Sequence, residues 1–172
     1  MRGMRFTTKQ LTTCAVLAAL ALALSYMEGM FPPPVPLPGF KLGLANIVTL
    51  FALYVLGAAP ALAILLVRVL LGGMFAGNAS ALIYSLLGGL CAMLVMIVLS
   101  RWDKLSVYGV SIGGAAAHNA GQVAAAVLTL GNAAPVAYLP LLLIVALFSG
   151  TLTGLIGSML LRAMGSFRLR AE

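Results

Sequence analysis

Arg68 lies well inside the apolar run APALAILLVRVLLGG. A guanidinium at that depth of a membrane helix costs roughly 2.5–3.5 kcal/mol on insertion scales, so it faces a protein interior or a watery cavity and marks a functional site by default. Two structural readings stand beside that one: the side chain reaches outward to the interface, or it pairs with Glu28. A second constellation follows in Ser111, His118, Gln122 and Thr129, at spacings of seven, four and seven, with Asn119 beside His118. Those spacings form one polar stripe on a helix. Lipid offers no hydrogen-bond partner, so the stripe must face the bundle or a cavity. Helix-to-helix hydrogen bonding accounts for it as readily as ligand contact does. His118 is the one histidine in the chain, and no metal site is expected.

Lys41 is a third charged residue to explain. It stands in PGFKLGLAN, where a proline-rich stretch meets an apolar run. A cation at a helix start opposes the helix dipole, so its presence points to an anion or to Glu28. Together, Lys41 and Arg68 exceed Glu28 by one positive charge, which suits a carboxylate or phosphate. Asn46, about 7.5 Å beyond Lys41 at 1.5 Å per residue, joins Asn119 and Gln122 as neutral donors and acceptors.

Acidic residues are nearly absent: Glu28, Asp103 and Glu172 are the full set. Prenyl diphosphate synthesis needs clustered aspartates for magnesium, and glycoside hydrolysis needs a carboxylate pair, so both chemistries are excluded. The phosphate-binding pattern GxxxxGK(S/T) is missing, which removes an ATP motor within the chain itself. No cofactor is expected.

The elements that must position these residues are membrane helices. In 172 residues, 63% are hydrophobic and 8% charged, and the mean hydropathy is +1.14. Apolar runs separated by Gly, Pro and charge predict an all-α integral membrane protein, a single domain over 1–172, with helices at about 10–28, 42–56, 59–75, 80–100, 106–130 and 136–162. The net charge of +7 comes from residues flanking these runs, among them Arg2, Arg5, Lys9, Arg101, Lys104, Arg162, Arg168 and Arg170. Such a distribution places both termini in the cytoplasm and makes nucleic acid a poor partner. Lys41 is left as the outer exception. The first run also resembles a secretory signal, but its packing features favour a retained helix. Cys14 and Cys91 fall inside apolar runs and read as small buried hydrophobes. The prolines of 29–41 predict a stiff extended loop, an outer cap or lid. Ala15, Ala19 and Ala23 repeat at intervals of four, as do Gly150, Gly154 and Ser158. Both patterns let another helix approach closely, from within the chain or from a partner.

Four motifs in order carry a resemblance: PGFKLGLANIVTLFAL (38–53), the Arg68 helix ending in LLGG, YSLLGG (84–89) and VSIGGAAAHNAGQ (110–122). Together they resemble the membrane family labelled Gx transporter or heptaprenyl diphosphate synthase component I, across nearly the whole chain. That family is similar to the substrate-binding S components of energy-coupling factor (ECF) transporters. The resemblance implies a six-helix bundle that binds a small, anionic or amphipathic molecule near its outer face under the first loop. It implies partners as well, a transmembrane coupling protein, met through Ala15, Ala19 and Ala23, and two ATPase subunits, and it implies that this chain is a multi-pass protein of the cell membrane. Tyr84, heading one motif, joins Glu28, Lys41, Asn46, Arg68, His118, Asn119 and Gln122 as the expected ligand set. With the aspartates so few, the synthase label reads as a misnomer. The alternative from another class is a membrane electron-transfer subunit that holds a quinone or works with a flavoprotein, and a component of prenyl diphosphate synthesis ranks last.

Overall fold

A computed structural model of the chain describes residues 7–30, 43–77 and 79–168. The described residues form six α-helices: α1 (Thr8–Met30), α2 (Ala45–Leu56), α3 (Ala58–Ala76), α4 (Ala79–Leu99), α5 (Val107–Leu130) and α6 (Leu139–Arg168), with a short 3-10 turn at Ala134–Tyr138 before α6. Lys41 and most of the proline loop lie outside the described residues.

Local chemistry sets the helix ends. Thr7 and Gln10 exchange side chain for backbone at the start of α1, with Gln10 N–H donating to Thr7 Oγ1 and Thr7 N–H to Gln10 Oε1, at 3.3 and 3.1 Å. This reciprocal cap satisfies two of the amides that a helix start leaves open. At α5 the Ser106 hydroxyl accepts from Gly109 N–H at 3.3 Å, as an N-cap serine does. Gly57, at φ 92°, makes the abrupt turn between α2 and α3. A side chain there would strain the backbone.

Four helices are long and apolar enough to cross a membrane: Thr8–Met30, Ala58–Phe75, Ala79–Leu99 and Ala134–Gly165. The other two depart from that pattern for different reasons. α5 has 24 residues but carries the polar stripe, of which Ser111, His118, Asn119 and Gln122 are buried and Thr129 is exposed. α2 has only 12 residues, which is about 18 Å of helix against a hydrocarbon layer of about 30 Å. It was expected from residue 42; it begins at Ala45, preceded by Gly43 at φ 79°, so the chain still bends at the start of that run.

α2 is the centre of the bundle, packed against α1, α3, α4 and α6. Ile47, Val48, Leu50, Ala52 and Leu53 of α2 are all buried. On one side α4, α5 and α6 form a tight set held by glycine. A Cβ on Gly121 would fall 2.7 Å from the Leu87 carbonyl oxygen, and one on Gly150 would fall 2.6 Å from Ile112 Cα. Backbones this close are how small residues join membrane helices. Gly150 and Gly154 are therefore used inside the chain. Ala15, Ala19 and Ala23 stay exposed on α1, on a face with Leu11, Val16 and Leu20.

Candidate functional site

The α2–α3 hairpin brings Asn46 and Arg68 together by register. Each stands 11 residues from Gly57, and antiparallel helices of equal rise put residues equidistant from their turn at one height, here about 16 Å above it. Arg68 Nη2 donates to Asn46 Oδ1 at 3.2 Å, and Nη1 donates to Ser25 Oγ of α1 at 3.1 Å. Arg68 is 7% exposed, and its Nε–H has no acceptor in the structure. The guanidinium thus joins three helices and leaves one buried N–H without a partner.

Glu28 does not close onto it. The carboxylate instead accepts from the backbone N–H of Gly43 at 2.7 Å and of Leu44 at 3.2 Å. It caps α2 from a neighbouring helix, where the dipole favours a negative charge. A side chain at Gly43 would disturb this corner, since a Cβ there would meet Asn46 Nδ2 at 2.9 Å. The alternative in which Arg68 pairs with Glu28 as a structural bridge is therefore not what forms: the two charges share a neighbourhood, with no direct bond between them.

Asn46 also faces the other half of the bundle. With Ser111, His118, Asn119, Ser149 and Thr153 it lines a small internal cavity of about 10 Å³, about the room of a single water molecule. Ser111 and Thr153 share a hydrogen bond of 2.7 Å, and Asn119 Nδ2 donates to the Leu142 carbonyl at 2.7 Å. Ser111 and Asn119 thus bond α5 to α6 while bordering the cavity. A continuous polar tract runs from Ser25 through Arg68 and Asn46 to this cluster.

Other expected site residues are placed elsewhere. Gln122 is 1% exposed, lines neither cavity, and its amide has no hydrogen-bond partner in the structure. Its Cγ lies where a Cβ on Gly88 would come within 2.9 Å. Tyr84 shares a hydrogen bond with Thr129 at 3.1 Å and also lines neither cavity. Lys41 is outside the described residues.

Arg68 also lines a second and much larger cavity, of about 760 Å³, between α1, α3 and α4. Leu22, Ser25, Met30, Val69, Gly72 and Phe75 are among its walls. The sequence reading did not single out Ser25, Ser149 or Thr153 for the site. Ser25 stands alone in LALALSYME, a signal that could have found it; Ser149 and Thr153 were masked by the Gly150–Gly154 pattern beside them.

Comparison with known proteins places the fold. The family model described as heptaprenyl diphosphate synthase component I matches residues 17–160. A solved structure of the S component of a bacterial ECF transporter superposes with a TM-score of 0.73, covering 92% of this chain and 96% of that one, at 18% identity. Likeness at that identity speaks for the fold. No curated protein matches the sequence.

Proposed function

The chain belongs to the heptaprenyl diphosphate synthase component I family, and we propose that it works as the membrane-embedded substrate-binding subunit of an ECF-type uptake transporter for a small anionic or amphipathic molecule. It is a multi-pass membrane protein with the six-helix fold of an S component. The observation that carries the reading is Arg68. A buried guanidinium lining a cavity of about 760 Å³, with a buried Nε–H that has no acceptor and with its nearest carboxylate engaged elsewhere, suits an anionic oxygen.

Asn46 and Ser25 hold the guanidinium in place, and Glu28 positions Asn46 by capping α2. His118 and Asn119 belong to the adjoining polar wall, and Lys41 is retained from its place in the sequence. The family description names a synthase. The supply of carboxylates speaks against that chemistry here, since Glu28 is committed to amides and Asp103 sits in the α4–α5 connection. The exposed face bearing Ala15, Ala19 and Ala23 is proposed to meet a transmembrane coupling protein, itself driven by two ATPase subunits.

Native mass spectrometry of the gently solubilised protein tests the reading. An acidic small molecule should be retained by the wild type and absent from Arg68→Gln. Equal retention by both would remove Arg68 from the site.

A further inference from the structure

The larger cavity has a form that capture of a small soluble anion does not require. α1 and α4 each pack on α3 without packing closely on each other, and the cavity occupies that gap. Exposed Tyr26, Met30 and Phe75 lie along its rim. In a membrane bundle such a flank faces hydrocarbon whenever no coupling protein covers the Ala19 and Ala23 side of α1. The cavity therefore joins an apolar groove, open toward lipid, to a buried cation.

Building on the substrate-binding reading, we propose that this groove holds the tail of a single-chain anionic amphiphile, with its carboxylate or phosphate head on the Arg68 guanidinium. Three observations converge. The volume of about 760 Å³ falls within the range of about 300–1,000 Å³ usual for ligand pockets. The walls are mostly apolar, with Leu22, Met30, Val69 and Phe75 among them and Ser25 and Ser85 the hydroxyls besides Tyr26. The inner wall carries the Arg68 charge, and its buried Nε–H has no acceptor in the structure, so a head-group oxygen completes its bonding once the guanidinium turns toward the groove. A guanidinium presents Nε and one Nη side by side, the geometry that matches a carboxylate or phosphate. Gly72 leaves the groove its width: a Cβ there would meet Leu22 Cδ1 at 3.4 Å, an ordinary contact, so a longer side chain fits the helix and narrows the groove.

The test uses the whole chain in phosphatidylcholine liposomes. The probe is a long-chain fatty acid bearing a diazirine at its tail end; the control is its methyl ester, with the same tail and no charge. The acid should label Leu22, Val69, Phe75 and their neighbours at least about tenfold above the lipid-facing surface of α6 around Phe148. The ester should label both surfaces alike. Excess palmitate or dodecyl phosphate should displace the focused label, and acetate or inorganic phosphate at the same concentration should not. Gly72→Leu and Arg68→Gln should lose the focus, with Arg68→Lys restoring part of it. Identical patterns for acid and ester overturn the proposal, and this comparison needs no variant, so it stands even where Arg68→Gln fails to fold. Focus that persists in a folded Arg68→Gln protein also overturns it. So does displacement by acetate or inorganic phosphate, which would leave a small soluble anion as the substrate and the substrate-binding reading intact. Focused labelling in a protein that recruits no coupling subunit would instead sink the transporter reading and leave the amphiphile site standing.

Discussion

At the scale of single residues, the buried polar groups divide by whether their bonds are complete. Glu28 is complete, its two oxygens on the amides of Gly43 and Leu44. Charge-assisted bonds of this kind contribute about 1.5–3 kcal/mol each. Glu28→Gln keeps one acceptor and loses the charge, so thermal unfolding in detergent should show a loss of about 1 kcal/mol or more. An unchanged melting curve would mean that α2 holds its start without the cap. Gln122 is the opposite case, buried with both amide atoms lacking a partner in the structure. Replacing such a group by an apolar one of similar shape is close to neutral or stabilising. Gln122→Met is expected to leave stability unchanged or raise it by about 1 kcal/mol; a clear loss would reveal a bond partner that the bare chain does not supply.

At the scale of elements, the small residues fall into two uses that sequence spacing alone cannot separate. Gly121 and Gly150 bring backbone against backbone within the α4–α5–α6 set. Gly121→Ala should destabilise by about 1–3 kcal/mol, the usual result of overpacking. Gly29, with nothing within 4 Å of an added Cβ, should accept alanine with no loss or a gain of up to about 1 kcal/mol. The same thermal series checks both, and equal effects at the two positions would contradict the packing described. The alanines of α1 face outward. Ala19 and Ala23 also border the larger cavity, whereas Ala15 does not, so Ala15→Leu is the cleaner probe of docking. It should leave the melting temperature in place and abolish co-purification of the coupling protein. Undiminished co-purification would move the docking surface off this face.

At the scale of the whole molecule, an even number of helices puts the α4–α5 connection on the same side as the two chain ends, and the α5–α6 connection on the other. Basic residues on the former side predict that it is cytoplasmic. With Cys14 and Cys91 replaced, an impermeant thiol reagent on intact cells should label Asn132→Cys and spare Ser106→Cys. The reverse pattern would invert the protein in the membrane.

Apolar runs of membrane length, broken by glycine, proline and charge, determined the class, the order of the helices and most of their limits to within two residues; the starts of α2 and α6 fall three residues later than expected, and α6 runs on to Arg168 where 162 was expected. Each span must satisfy its own backbone hydrogen bonds in lipid, and that requirement is written locally. The burial of Arg68 and of Ser111, His118, Asn119 and Gln122 was legible for the same reason, that a polar group inside a hydrocarbon layer has nowhere else to go, whereas Thr129 near the end of the stripe is exposed. What these groups bond to was not legible. Whether Glu28 meets Arg68 or the amides of α2 depends on where a 12-residue helix begins inside the bundle, and the choice of Ser25 depends on how α1 leans on α3. Which glycines join helices and which alanines stay exposed depends on the neighbour each face meets. The larger cavity exists because two helices pack on a third without closing on each other, a consequence of packing that no run of residues encodes by itself.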